Sequence, residues 1–212
     1  MKQIFSNQLL IPFDYDDKET KFNEELKKQQ EKIHFLLKDE TNKRHNQIEN
    51  TQIQIIDISS NILNKRYYKD GVEIDTSFIY RIRKNENQWY LDKNGVICSK
   101  KEKKACLYNG DTKTFDSILP ITIKGIDYYL CGVLKGTERH GGHQDDVKTT
   151  IADYARLIQL NKNKNISIFF LLDGSYINKD INKLDKSDRY FTTTSDNFCK
   201  DLENFITKKL YG

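Results

Sequence analysis

Asp116 and Lys135 have the types and spacing that could do chemistry. Asp116 precedes an apolar run, Ile118–Ile123, and Lys135 ends a second one, Ile126–Leu134. The Lys124-Gly125 pair lies between the runs, a pattern that predicts two adjacent strands of a hairpin. The acid and the amine then stand at the ends of neighbouring strands. A carboxylate there can hold Mg²⁺, and an ammonium can stabilise an attacking hydroxide and the charge that develops on phosphorus. Metal-assisted phosphodiester hydrolysis needs both. A glycine-rich stretch follows, leading into a helix that opens with Gln144-Asp145-Asp146.

Other polar groups allow two readings each. Arg66-Tyr67-Tyr68-Lys69 is basic and aromatic, which suits contact with phosphates and sugars. Lys100 and Lys101 belong to the densest basic stretch, either a loop facing DNA or an exposed hairpin tip. In His140-Gly-Gly-His143 the glycines would let backbone approach a phosphate while Arg139, His140 and His143 donate; a plain loop fits equally. A histidine there could also deprotonate water. No cysteine pair completes a zinc site around the two histidines. Glu138 reads as an ion partner for Lys135, and Thr192–Ser195 as strand and capping residues. There is no Gly-x-Ser-x-Gly elbow, P-loop or Gly-x-Gly-x-x-Gly.

The elements that must position these residues can be read from periodicity. Lys18–Lys38 has apolar residues near helical spacing, with acids and bases on the other face. Asn42–Leu63 fits a second helix, or a strand and a turn, with helix favoured. Asp70-Gly71 is a turn, Val72–Arg83 a β run, and Trp89–Leu91 a further strand. Gln144–Leu160 is the clearest helix, with Asp145 and Asp146 placed favourably for its dipole. Ile166–Leu172 reads as a buried strand closed by Asp173-Gly174, and Tyr190–Thr193 as an edge strand. Thr194 or Ser195 would cap a last helix through Leu210. The order implies a mixed sheet flanked by helices, an α/β core.

At 212 residues the chain can bury a substantial core, and 11% aromatics with two prolines favour a folded protein. With 31% charged residues and a mean hydropathy of -0.76, its surface is wet. The net charge of +4 permits nucleic-acid binding without demanding it. No stretch has the length of a membrane span, and Met1–Leu10 lacks a signal-peptide core. The four cysteines form no C-x-x-C pair. A reducing, cytoplasmic location and no membrane partner are expected.

The arrangement resembles the PD-(D/E)XK nuclease superfamily, and more closely the cleavage domains of type II and type IIS restriction endonucleases. Gly110–Asp116 stands where that family has a glycine, a basic residue and then Pro-Asp, with Phe115 in place of the proline. Leu130–Lys135 stands where it has a strand ending in Asp/Glu-X-Lys. Gly141–Asp146 resembles its glycine-rich loop and helix start. Ile166–Tyr176 resembles a later core strand, and Tyr190–Phe205 the final strand and helix. The likeness covers roughly the C-terminal half to two-thirds of the chain.

The resemblance implies a restriction-endonuclease-like mixed β-sheet flanked by helices, with an N-terminal helical region over 1–66 for DNA contact or dimerisation and a nuclease core over 67–212. It implies Mg²⁺ held by Asp116, the Leu134 carbonyl and a second carboxylate, with Lys135 catalytic and Gln144 supporting it. It further implies double-stranded DNA as substrate and a homodimer or second subunit. One position departs: Val133 replaces the usual acid two residues before the lysine. The missing ligand would come from Asp146 or Asp145, less readily from Glu73 or Asp75. Alternatively the chain binds DNA without cutting it, or Asp116 and Lys135 are a strand cap and a surface lysine.

Overall fold

The computed structural model describes residues 15–38, 45–77, 89–91, 97–99, 114–136, 143–174 and 187–212. These form four α-helices and a mixed five-stranded sheet, with a separate two-stranded ribbon. The helices are α1 (Tyr15–Lys38), α2 (His45–Tyr67), α3 (His143–Leu160) and α4 (Phe198–Tyr211). The sheet runs β1 (Val72–Ile74), β4 (Ser117–Ile123), β5 (Ile126–Gly136), β6 (Ile166–Asp173), β7 (Tyr190–Thr193) in spatial order. The ribbon pairs β2 (Trp89–Leu91) with β3 (Ile97–Ser99).

The hairpin comes from its turn. Lys124 and Gly125 both have positive φ, 50° and 80°, and Ile123 pairs with Ile126 across them. Two left-handed residues give the hairpin turn whose twist matches the flanking strands, and glycine in the second place relieves its cost. β1, β4 and β5 are antiparallel, while β5, β6 and β7 are parallel. A parallel step needs a crossover, and α3 supplies it between β5 and β6.

Both faces of the sheet are covered, which is why β6 is buried at every residue and its sequence is a continuous apolar run. On one face Leu119, Ile121, Leu130, Leu134, Phe169 and Leu171 meet α1, α2 and α4. On the other, Ile118, Cys131, Val133, Ile168 and Phe170 meet Ile151, Tyr154 and Ile158 of α3. The helices of region 1–66 therefore share an apolar core with strands of region 67–212.

The α2 helix replaces the strand-and-turn alternative for 42–63. The β run expected over Val72–Arg83 stops at Ile74 as a described strand. There the Asp75 carboxylate accepts from Ser77 N (3.0 Å) and Ser77 Oγ (2.5 Å), folding the chain into a turn. Residues 78–83 lie outside the described residues. Asn197, not Thr194 or Ser195, occupies the cap position of α4, and its side chain makes no capping bond. Cys98 is disulfide-bonded, against the expectation of reduced thiols. Spacing patterns do not reveal which sulfurs meet in space. No described helix is long and apolar enough to cross a membrane.

Candidate functional site

β4 starts where β5 ends, because the two are antiparallel. The ladder closes at Ser117–Gly132, and Asp116 N donates to Gly132 O at 2.9 Å. Asp116 thus sits just before β4, beside the last rung of the ladder, and Lys135 lies three residues beyond Gly132 along β5. Asp116 Oδ2 accepts from the Leu134 amide at 2.8 Å, which ties the carboxylate to the backbone between Val133 and Lys135. The hairpin thus brings the half-buried acid and the exposed lysine to one edge of the sheet. Carboxyl ends of parallel strands, where β5 and β6 also finish, are where open α/β sheets bind ligands.

α3 covers this face. Its Tyr154 ring lies 5.2 Å from that of Phe115, and Tyr154 Oη donates to Thr114 O at 3.1 Å. The ribbon joins from the other side, with Phe115 N donating to Trp89 O at 3.0 Å. The residue before Asp116 is thus pinned from two sides. Val133 is only 2% exposed and belongs to this apolar cluster. The position that would hold a second acid is part of the core.

Among the described residues no three His, Cys, Asp or Glu side chains gather into a metal cluster. Mg²⁺ can be held through one or two carboxylates, with phosphate oxygens and waters completing the shell. Asp116 and the Leu134 carbonyl would be at most two of the ligands such an ion needs. Glu73 does not add to them. It pairs with Thr122, six residues along β4 from Asp116, about 20 Å at the usual strand rise. Asp75, bonded to Pro120 O through its amide, is also remote along β4. The backbone of Gln144, Asp145 and Asp146 forms the first turn of α3, which starts beyond the end of β5. Their side chains, and that of His143, lie outside what the structure describes. Lys100, Lys101, Arg139 and His140 also lie outside the described residues.

Arg66 is bound within the molecule. Its guanidinium donates to Glu19 Oε1 and Glu203 Oε1, both at 2.8 Å, and Tyr67 Oη donates to the same Glu203 oxygen at 2.7 Å. The bonds to Glu19 and then Glu203 hold Arg66 above its ordinary pKa. Burial pushes Glu203 up, but the bonds from Arg66 and Tyr67 outweigh it and leave the carboxyl below its usual value. A phosphate at Arg66 would compete with two carboxylates. Lys69 is exposed in the short turn after α2.

The same edge of the sheet contains a polar cluster that the sequence reading missed. Asp173, at the end of β6, is 5% exposed. Its Oδ1 accepts from Ser195 N (2.8 Å), and its Oδ2 from Ser195 Oγ (2.6 Å) and Gln52 Nε2 (2.7 Å). Burial raises the Asp173 pKa, opposed by the bonds from Ser195 and Gln52. Gln52, fully buried in α2, also donates to Lys135 O at 3.0 Å. A polar residue among the isoleucines of α2 was the available signal. Arg189 was missed as well: it is buried and donates to the carbonyls of Ile166, Asn161 and Asn163, fastening the end of α3 to β6.

No family model, curated protein or solved structure matches the chain.

Proposed function

We propose that the chain is a Mg²⁺-dependent endonuclease of the PD-(D/E)XK kind, a type II restriction enzyme that hydrolyses phosphodiester bonds of double-stranded DNA. The observation that carries this reading is the bond from the Leu134 amide to Asp116 Oδ2, which ties the acid to the end of β5 one residue before Lys135. Asp116 and the Leu134 carbonyl would hold Mg²⁺, with Asp146 as the second carboxylate. Such an ion, when bound, supplies Lewis-acid activation of a water and of the scissile phosphate. The Lys135 ammonium stabilises the hydroxide and the charge developing on phosphorus. Asp116, anchored by the Leu134 amide, keeps the acid in register with the lysine. Gln144 would support Lys135 from the start of α3. Cutting both strands calls for two such sites, hence a homodimer or a second subunit.

A second reading has its own observation. Val133 is buried among apolar side chains where the family carries an acid. That favours a DNA-binding protein or subunit with this fold and no catalysis.

The test is nicking of supercoiled plasmid in Mg²⁺ by the chain and by Lys135→Ala, beside DNA affinity at several salt concentrations. The nuclease reading expects cleavage that Lys135→Ala lowers by about 10²- to 10³-fold. Salt-dependent binding without nicking favours the silent form. Absence of both sinks the two together.

A further inference from the structure

We propose that Gln52 of α2 is the positioning residue for Lys135, fixing the end of β5 from the face opposite to the lysine side chain. This rests on the reading of the Asp116–Lys135 edge as hydrolytic. Lys135 needs such a device because it lies beyond its antiparallel partner. The β4 ladder ends at Ser117–Gly132, three residues short of Lys135. On the other side β6 runs only to Asp173, one residue past the partner of Lys135. With a neighbouring strand on one side only, a displacement of Lys135 on the order of 1 Å would be enough to cost about 100-fold in rate.

Gln52 counters that freedom at the main chain. Its amide has two hydrogens; one goes to Lys135 O (3.0 Å) and the other to Asp173 Oδ2 (2.7 Å), with Leu171 O at 3.4 Å. All these partners are oxygens, so the amide's orientation is set by its surroundings. Asp173 is in turn held by Ser195 N and Ser195 Oγ. The next residue of β5, Gly136, leaves no room for movement toward α2: a Cβ there would come within 2.5 Å of Ile48 Cγ2. One helix therefore grips two consecutive residues of the strand end, one by hydrogen bond and one by packing. Side chains alternate across a strand, so Leu134 packs on the α2 side while Lys135 falls on the α3 side with Val133. Gln52 never touches the reacting atoms and acts through the backbone alone.

The experiment uses the full chain, Gln52→Met and Ile56→Val. Methionine fills the same volume without the amide, and Ile56→Val loosens the same helix without removing a bond to Lys135. Two quantities are read: the NMR signals of Lys135, and the cleavage rate at saturating plasmid in Mg²⁺ with DNA affinity measured in Ca²⁺. Gln52→Met should shift the Lys135 backbone and side-chain signals and lower the rate by about 10- to 100-fold, with affinity within about twofold of the parent. Ile56→Val should leave both near the parent. Unmoved Lys135 signals in Gln52→Met, or an equal movement in Ile56→Val, would overturn the proposal. If the parent itself does not cut, the hydrolytic reading falls, and the NMR comparison still decides whether Gln52 sets the lysine's position. Should Gln52→Met fail to fold, Gln52→Asn replaces it, polar but one methylene too short to span Lys135 and Asp173, with the same outcomes.

Discussion

Asp116 and Asp173 sit at the same edge of one sheet, just before β4 and at the end of β6, in different surroundings. Asp173 points into the layer of α1, α2 and α4, is almost wholly buried, and receives three hydrogen bonds from Gln52 and Ser195. Asp116 is half-buried and its Oδ2 accepts from the Leu134 amide. The first geometry saturates a carboxylate with donors and joins α2, β6 and the turn before α4. The second anchors a carboxylate beside an exposed lysine. Asp173 holds the edge together, and the work proposed for Asp116 is to act there.

The largest expected effect is on the acting acid. Asp116→Asn keeps an oxygen that can accept from Leu134 N but removes the charge. Cleavage should fall by about 10³-fold, equivalent to about 4 kcal/mol, while urea midpoints stay close to the parent. A large loss of stability would mean that Asp116 is the structural one of the pair. Asp173→Ala should do the reverse. It leaves Ser195 N, Ser195 Oγ and one Gln52 hydrogen without their acceptor in the core, at about 3 kcal/mol in urea unfolding. Unchanged stability would remove the contrast altogether.

Gly132 tests how tightly the two layers are set against each other. A Cβ there would lie 2.1 Å from Ser117 Oγ and 2.4 Å from the Phe169 ring. Gly132→Ala should therefore cost about 2 kcal/mol through overpacking, with thermal unfolding as the measurement. A parent-like transition would show that the strand can shift beneath Asp116.

The smallest effect is a slope. Burial raises the Asp173 pKa above its unfolded value of 3.8, so the folded state holds that proton more tightly. The stabilisation from this group is complete below the unfolded value and is lost as pH rises through the folded one. Asp173→Asn lacks that titration, so the parent's advantage over it should be greater at about pH 4.5 than at about pH 7. Parallel profiles would mean that burial does not raise the Asp173 pKa.

The hairpin was legible because its signals are local. The Lys124-Gly125 turn and the apolar runs on either side set the register, which brings the start of β4 to Gly132, near the end of β5. The continuous run of β6 and the helical period of α3 were equally plain. Val72–Arg83 misled because β propensity says nothing of an Asp75–Ser77 turn that ends pairing at Ile74. The partners of Arg66, Glu19 and Glu203, were not legible because they are distant in sequence. Ser195 looked like a helix cap for the same reason: its acceptor, Asp173, is 22 residues away.

By itself, then, the sequence determined the helices, the mixed sheet and the alignment of an acid with a lysine at one edge, since periods of 2 and 3.6 and a two-residue turn act between near neighbours. Only the tertiary structure decided that Val133 is sealed in apolar core, that Asp173 is saturated with donors, and that Gln52 reaches the backbone of Lys135. Those outcomes depend on which buried polar groups meet when α2 and α3 close over opposite faces, and a buried donor or acceptor bonds whatever the packing brings within reach.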